Sequence, residues 1–233
     1  MALFYCPDIE NNLTLPEEES VHCIRVLRKQ VDDTIGIIDG QGFFYEAVIT
    51  EAHPKHCRVR LLEKRPDTSG PFRAHIALCP TKNPERVEWF LEKATEVGIG
   101  GISFLQSRYS ERKTVKTERM ERILVAALKQ SVKALKPTLQ PLTPFETFVK
   151  QPFDGQKFIC HCYPGEKPLL NAVCQPGSPV LVLIGPEGDF SLEEVALAEA
   201  QGFEAVSLGD TRLRTETAAF VAAHIVELKN QGI

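Results

Sequence analysis

The chain has 233 residues, of which 43% are hydrophobic and 25% are charged, and its formal net charge is −4. Such a chain can bury a full hydrophobic core in one large domain or in two modest ones. No apolar run approaches the length of a membrane span, and the first residues lack the basic and apolar regions of a secretory signal, so we expect a cytoplasmic protein with no membrane partner.

The first part of the chain has the pattern of a small β-domain. Strands are predicted over 34–39, 43–50 and 57–62, and a helix is predicted to start near Thr14-Leu15-Pro16. Basic side chains follow at a spacing of three, which favours one face of that helix: His22, Arg25 and Arg28. This face is either an exposed amphipathic surface or a surface that binds RNA.

Turn and breaker residues in the segment 64–71 interrupt the periodic pattern and predict a linker. We therefore assign residues 1–70 to a first domain and residues 71–233 to a second. After the linker, predicted strands and helices alternate, which indicates α/β organisation. The strands are predicted over 74–79, 102–105, 157–162, 179–184 and 205–208.

Helix ends in the second domain carry clear signals. Asn83-Pro84 predicts a helix that ends at Gly98, a second helix begins near Thr117, and Ser191 with Glu194 forms a capping box. The last helix is predicted from about Thr215 to Asn230. It is apolar on more than one face, which favours burial against a neighbour such as a second subunit.

Positive charge is concentrated in one segment of this acidic chain. Residues 108–137 contain nine Lys or Arg against three Glu, a local charge of +6. Phosphate binding requires local positive potential, because screening limits the reach of exposed charges to about 10 Å. The segment is either a solvated helix face or a track for RNA.

The seven cysteines are scattered and odd in number, which suits a reducing compartment better than a disulfide framework. Cys160-His161-Cys162 lacks a second ligand pair at zinc-like spacing. We interpret these cysteines as structural thiols and expect no metal site.

Two glycine-hinged segments near the end of the chain, 183–191 and 208–218, predict a ligand pocket. Each follows a short apolar run with the character of a buried parallel strand, and loops at strand carboxyl ends are where open α/β sheets bind ligands. Glycine allows the backbone to approach a flat polar molecule such as an adenine ring. Either loop alone is equally consistent with a simple turn. No G-x-G-x-x-G follows the first strand and no G-x-x-x-x-G-K-[ST] occurs, which argues against dinucleotide and ATP sites.

The chain resembles the bacterial small-subunit (16S) ribosomal RNA uridine-N3 methyltransferases of the SPOUT class. The resemblance is carried by these two loops, by His22-x-x-Arg25-Val26-Leu27-Arg28 and by the segment 92–98. The resemblance runs in order along nearly the whole chain. It implies an α/β trefoil-knotted methyltransferase domain, an N-terminal PUA-like β-barrel domain that binds RNA, S-adenosyl-L-methionine as methyl donor, and a homodimer. Sequence periodicity by itself leads to an ordinary doubly wound sheet.

The resemblance and the chemistry of the reaction identify candidate site residues. Methylation of uridine N3 requires loss of a proton and stabilisation of negative charge on the adjacent carbonyl oxygens, a task that suits guanidinium groups. Arg214 and Arg212 are assigned to it, with Glu216 as a proton acceptor or, preferably, a helix cap. The predicted donor-binding residues are Leu183, Ile184, Gly185, Glu187, Gly188, Leu208, Gly209, Leu213, Arg214, Thr215, Thr217 and Ala218. The predicted RNA-binding residues are His22, Arg25, Arg28, Arg108, Arg112, Lys113, Lys116 and Lys133.

The chain departs from the family pattern at three places. The first eight residues contain no basic side chain, Lys133 stands where arginine is expected, and Asp189 follows the Gly-Pro-Glu-Gly run in place of a second glycine. The expected partner is 16S ribosomal RNA or the assembled small subunit. Two alternatives stay open: an enzyme of the same fold that acts on another RNA such as a transfer RNA, and a non-catalytic RNA-binding factor for ribosome assembly.

Overall fold

The computed structural model describes residues 2–231, which divide into two compact units. The first unit comprises Met1–Gly70 and Val125–Lys136, and the second comprises Pro71–Leu124 and Pro137–Ile233. The segment 125–136 from the middle of the chain thus belongs to the first unit. A single division of the chain at the predicted linker does not account for this segment. The fourth strand extends into the segment 64–71, so only part of that segment connects the units.

The first unit contains a four-stranded sheet with the order β1-β2-β3-β4. Strand β1 pairs in parallel with β2, and the other neighbours are antiparallel. Its strands are β1 (Leu3–Tyr5), β2 (Thr34–Ile38), β3 (Phe43–Glu51) and β4 (Arg58–Pro66). The three predicted strands are confirmed, whereas β1 was missed because three residues are too few to show an alternating pattern.

The helix of the first unit begins at Glu17, close to the predicted start, but its second half is distorted. Helix α1 (Glu17–Val21) continues directly as a π-helix over His22–Val26. Arg28 has a φ of +53°, a left-handed backbone that ends the helical repeat. The prediction that Arg28 continues one helix face with His22 and Arg25 is therefore wrong.

The second unit is built on a six-stranded parallel sheet with the order β10-β8-β9-β5-β6-β7. Its strands are β5 (Ala74–Leu78), β6 (Gly101–Gln106), β7 (Thr138–Pro144), β8 (Gln156–Cys160), β9 (Val180–Ile184) and β10 (Glu204–Val206). The five predicted strands are confirmed. Strand β7 was missed because it contains Pro141 and Pro144; at the edge of a sheet the missing N–H of proline is tolerated.

Helices cover both faces of this parallel sheet. The helices after the linker are α2 (Pro84–Val97), α3 (Thr117–Ser131), α4 (Phe145–Val149), α5 (Leu170–Val173), α6 (Leu192–Ala200) and α7 (Thr215–Asn230). Alternate residues of β5 pack on opposite faces: Ile76 and Leu78 pack in one core with α2 and α7, whereas Ala77 packs in the other core with α4 and α6. Helices α4 and α5 were missed because they are too short to show a helical period. No helix within residues 2–231 combines the length and the apolarity that crossing a membrane would need.

The predicted helix ends are confirmed in atomic detail. Asn83 Oδ1 accepts a hydrogen bond from Glu85 N–H at 3.1 Å, and Gly98 ends α2 with a φ of +98°. Ser191 and Glu194 form the reciprocal capping box at the start of α6. These local signals determine where α2 and α6 begin, and therefore where the loops before these two helices end.

A half-buried histidine in the sheet gives a pH dependence of stability. His75 Nε2 lies 2.7 Å from Ser103 Oγ, and burial lowers the pKa of His75 from 6.5 to about 4. The unfolded chain therefore binds more protons between these values, and stability is lost as the pH falls from 6.5 towards 4, by roughly 3 kcal/mol at most. Denaturant unfolding at several pH values should show this loss. In His75→Gln, which keeps a polar group without titrating, the loss should be smaller; an unchanged pH profile would contradict the assignment.

Candidate active site

A cleft lies at the carboxyl ends of β8, β9 and β10, three neighbouring strands of the parallel sheet. Its volume is about 390 Å³. Loops converge there because parallel strands all end at the same edge of the sheet. The first turn of α7 and Arg86 of α2 complete the lining.

The loop after β9 is a tight turn that depends on Asp189. The Asp189 N–H donates to the Pro186 carbonyl at 3.0 Å, and its backbone is left-handed with a φ of +66°. Its Oδ2 accepts a hydrogen bond from Cys162 N–H at 2.7 Å, which ties this loop to the one after β8. Aspartate tolerates the left-handed region better than most residues, so the turn forms where the family pattern has glycine.

The loop after β10 is held by Ser207 and leaves open space at Gly209. Ser207 Oγ accepts from Gly209 N–H at 3.2 Å and donates to the Gly209 carbonyl at 3.0 Å. Gly209 has a φ of +132°, and apart from its two chain neighbours no residue that the structure describes has a heavy atom within 4 Å of the place that a Cβ would take. Thr215 Oγ1 donates to the Gly185 carbonyl at 3.0 Å. This bond holds the start of α7 against the loop after β9.

Most residues predicted to bind the donor line the cleft, as does Arg212. They are Ile184, Gly185, Glu187, Leu208, Gly209, Leu213, Arg214, Thr215 and Ala218. Leu183 is instead buried in the core shared with α6, and a Cβ on Gly188 would meet Tyr109 at 3.1 Å. Thr217 also lies outside the lining. These three residues were predicted because they are next to lining residues in the sequence. Consecutive side chains of a strand or a helix point in different directions, so sequence neighbours need not share a site.

Glu216 is buried beside the cleft and does not cap α7. Its residue exposure is 7%, and its Oε1 lies 3.7 Å from Arg86 Nε. Among the described residues its Oε2 has no hydrogen-bond partner, and its carboxylate makes no hydrogen bond to the described backbone of α7. The preferred capping role is therefore wrong.

The loop after β8 contributes Cys160, His161 and Cys162, which the sequence did not connect with this cleft. Burial raises the pKa of Cys160 to about 12 and lowers the pKa of His161, so a neutral thiol and a neutral imidazole are favoured. His161 Nδ1 is buried without a partner in the part of the chain that the structure describes. Over the same residues, no group of three His, Cys, Asp or Glu is arranged to hold a metal ion.

Arg86 was also missed. It lies in the first turn of α2, directly after the Asn83 cap and Pro84, and reaches a cleft formed mainly by residues much farther along the chain. A basic residue three positions after a helix cap is the only local signal, and it does not distinguish a ligand-binding side chain from a solvated one.

The basic segment 108–137 is partly neutralised by ion pairs. They join Arg108 to Glu193 at 3.3 Å, Arg119 to Glu88 at 2.6 Å, Arg122 to Glu118 at 2.9 Å and Lys129 to Glu19 at 2.6 Å. The segment is also divided between the two units at residue 125. The local charge of +6 thus overstates the positive potential along it.

The first part of that segment lies beside the cleft. Arg112 Nη2 donates to the Lys82 carbonyl at 3.2 Å, and Lys82 N–H donates to Glu187 Oε1 in the loop after β9 at 3.1 Å. Lys113 and Lys116 are exposed, and neither pairs with a carboxylate in the described contacts. These two exposed lysines and the half-buried Arg112 form a cationic strip next to the cleft.

The other predicted RNA-binding residues belong to the first unit. His22, Arg25 and Arg28 are exposed, and Lys133 is half-buried.

Comparison with known proteins agrees with this architecture. The sequence pattern of an RNA methyltransferase domain matches residues 68–227, and that of an RNA methyltransferase PUA domain matches residues 15–62. A Porphyromonas gingivalis protein described as a probable rRNA-methyltransferase is 40% identical and superposes with a TM-score of 0.92, covering 100% of this chain and 99% of that one. The Neisseria gonorrhoeae ribosomal RNA small subunit methyltransferase E, solved bound to S-adenosylmethionine, is 25% identical with a TM-score of 0.85 over 99% and 98% of the two chains.

A relative known from its sequence extends the comparison. The ribosomal RNA small subunit methyltransferase E of Synechocystis is 30% identical over 222 residues, which are 92% of this chain and 72% of that protein. The match to the RNA methyltransferase domain alone covers more than half of the chain and includes every residue of the cleft. The chain therefore belongs to the RNA methyltransferase family.

Proposed function

We propose that this protein transfers the methyl group of S-adenosylmethionine to N3 of a uridine in small-subunit (16S) ribosomal RNA. The observation that carries the proposal is the cleft of about 390 Å³ at the ends of β8, β9 and β10, with its two glycine-hinged loops. The full-length likeness to the Neisseria protein solved with S-adenosylmethionine supports the donor. The name shared by that protein and the Synechocystis relative supports the substrate.

The cleft suits a donor that carries a flat heterocycle and polar groups. Gly185 and Gly209 both line the cleft, and the place that a Cβ on Gly209 would take lies more than 4 Å from the described residues other than its two chain neighbours. The space at Gly209 is therefore open to a ligand group. When bound, S-adenosylmethionine supplies an electrophilic methyl group on its sulfonium.

The protein's own residues have to handle the charge of the base. N3 gives up its proton to water, and electron density then spreads onto the two carbonyl oxygens next to N3. The deprotonated N3 would form its bond to the methyl carbon of a bound donor while that carbon's bond to the sulfonium sulfur breaks, with the thioether as the leaving group. Arg212 and Arg214 line the cleft and make no described hydrogen bond to protein, so their guanidinium groups are available to these oxygens. We assign charge stabilisation to Arg214 first and Arg212 second.

The fold and assembly implied by the resemblance belong to the same proposal. We propose that the second unit is trefoil-knotted, that the sheet of the first unit closes as a PUA-like barrel, and that the active form is a cytoplasmic homodimer. An aromatic pair on α2 and α7 supports the dimer. Trp89 of α2 packs edge-on against Phe220 of α7, with 5.6 Å between the ring centroids, and Trp89 is still 42% exposed. Light scattering on the active protein measures this directly; a fully active monomer would contradict it.

RNA is proposed to follow the cationic strip formed by Arg112, Lys113 and Lys116. Their replacement by alanine together is expected to reduce the slope of log affinity against log salt by about 0.7 for each lost contact with a single-stranded phosphate. Donor affinity should not change. The matched control is Arg119→Ala with Arg122→Ala, because both of these arginines already pair with carboxylates. A triple variant that keeps the parent slope would place the RNA elsewhere.

Nucleoside mass spectrometry tests the reaction itself. Small-subunit ribosomal RNA from cells that lack the protein should contain unmodified uridine at one position, and the purified protein with S-adenosylmethionine should restore 3-methyluridine there. Supplying free 16S RNA and assembled subunits separately identifies the substrate. Modification of transfer RNA instead would indicate the same fold with another substrate, and donor binding without modification of any RNA would contradict the enzymatic function.

A further inference from the structure

The loop after β6 carries an exposed aromatic side chain on a tight turn. Ser110 N–H donates to the Ser107 carbonyl at 3.2 Å, and this bond closes a turn that has Arg108 and Tyr109 at its tip. Both serines are buried, whereas Tyr109 is 47% exposed. The turn therefore presents the tyrosine ring to solvent.

Three further contacts keep this turn in place. Ser107 N–H donates to Ser110 Oγ at 3.0 Å, and the thiol of Cys79, directly after β5, donates to Ser107 Oγ at 3.4 Å. Arg108 N–H donates to Glu194 Oε1 of α6 at 2.8 Å. A side chain on a fixed backbone loses little conformational freedom when it binds a ligand, so this turn is suited to hold one.

Tyr109 lies against the loop after β9, at the edge of the cleft. A Cβ on Gly188 would lie 3.1 Å from Tyr109 Cβ and 3.7 Å from its Cγ, the two tyrosine side-chain atoms nearest the backbone. Gly188 has no positive φ, so glycine here serves the close approach rather than an unusual backbone. Its neighbours Glu187 and Asp189 line the cleft, whereas Tyr109 does not. The ring thus stands just outside the cleft, beside its wall.

We propose that Tyr109 stacks on the RNA base next to the target uridine. This inference rests on the proposed function, which brings that uridine to Arg212 and Arg214 in the cleft. Because Tyr109 stands outside the cleft wall, the base that it meets is a neighbour of the target rather than the target itself. Stacking on an aromatic ring tolerates any base, because every base has a flat face.

The surroundings of the ring suit single-stranded RNA. The cationic strip of Arg112, Lys113 and Lys116 belongs to the same loop, between the end of β6 and the start of α3. Proteins hold single-stranded RNA with this combination of basic side chains for the backbone and aromatic rings for the bases. Gly188 contacts only the root of the tyrosine side chain, and its ring beyond Cγ is left free of that loop.

A second copy of this chain is the other occupant that an exposed aromatic ring can have. The observations favour RNA, because the ring is surrounded by charge: the Arg108 guanidinium lies 5.7 Å from the ring centroid, where it covers only one face, and the cationic strip follows. The centres of protein–protein interfaces are depleted of charged residues. The aromatic pair assigned to the dimer, Trp89 and Phe220, lies on α2 and α7 instead.

Two variants of Tyr109 test the proposal through RNA affinity. Tyr109→Leu keeps an apolar contact with Gly188 but has no aromatic face, and it should bind small-subunit ribosomal RNA about five- to a hundredfold more weakly. Tyr109→Phe keeps the ring and should bind like the parent. Because stacking releases no counterions, the slope of log affinity against log salt should equal that of the parent in both variants. Calorimetry should show an unchanged affinity for S-adenosylmethionine.

Two oligonucleotides isolate the contribution of the base. Both carry the sequence around the uridine found by mass spectrometry, and in one of them the two nucleotides that flank this uridine are abasic. The phosphates are the same in both. The parent protein should bind the abasic oligonucleotide more weakly than the intact one, and Tyr109→Leu should show little of this difference.

Each contrary result overturns the proposal for a stated reason. A smaller salt slope in Tyr109→Leu assigns the contact to phosphate, weaker donor binding shows that Tyr109 supports the loop after β9, and a monomer in light scattering assigns it to a subunit interface. Affinity equal to that of the parent, or an equal loss with the abasic oligonucleotide, shows that no base stacks there. A parent protein that binds donor and RNA without methylating uridine contradicts the proposed function, whereas an active parent with unaffected Tyr109→Leu contradicts the stacking alone.

Discussion

Replacing Arg214 by alanine is expected to slow methyl transfer about 100- to 1,000-fold, a much larger effect than the one on donor affinity. Arg214 lines the cleft and is exposed, and its side chain makes no described hydrogen bond. Its guanidinium is therefore available to the carbonyl oxygens of uridine as N3 loses its proton. Because these oxygens gain charge only as the reaction proceeds, the loss should appear in the rate of the chemical step. Single-turnover methylation at saturating donor and RNA measures that rate.

The structure supplies controls for this variant. Arg214 occupies the N-cap position of α7 without a side-chain cap bond, so alanine there should not weaken the helix. Thermal unfolding should confirm an unchanged stability. Arg214→Lys keeps the charge without the planar fork and should recover only part of the rate. If Arg214→Ala instead weakens RNA affinity in proportion to the rate, Arg214 contacts phosphate, and Arg212 becomes the candidate for charge stabilisation.

Gly185→Val is expected to abolish donor binding, seen as a loss of more than about a hundredfold by calorimetry. The reason is local geometry: a Cβ at Gly185 would lie 3.2 Å from Phe190 N and 3.3 Å from the Asp189 carbonyl carbon. These are backbone atoms of the turn itself, so the branched side chain must displace the loop after β9. Gly185 also accepts the hydrogen bond from Thr215 that joins this loop to α7.

Two further variants separate loop distortion from general damage. Gly185→Ala has the same close contacts with less volume and should lose affinity to a smaller extent. Thr217→Ala changes a residue that lies outside the cleft, and its donor affinity should equal that of the parent. A folded Gly185→Val protein with undiminished donor affinity would remove this loop from the binding site.

The sequence by itself determined the elements whose signals are local. The apolar run of β9, the Asn83 cap, the Ser191–Glu194 capping box and the two glycine-hinged loops are all encoded within a few residues, and the structure places each where the pattern predicts it. Strand periodicity and capping depend on neighbours in the chain, so a single sequence suffices to read them.

The tertiary structure decided which of these elements meet. The order β10-β8-β9 brings the loop after β8 to the cleft and adds His161 and Cys162, although no local pattern connects them with the glycine-hinged loops. The packing of α2 against α7 brings Arg86 to Glu216. The tertiary structure also decided that the segment 125–136 belongs to the first unit. These contacts join residues far apart in the chain, and they arise from the burial of apolar faces on a particular sheet order, which hydrophobic periodicity does not specify.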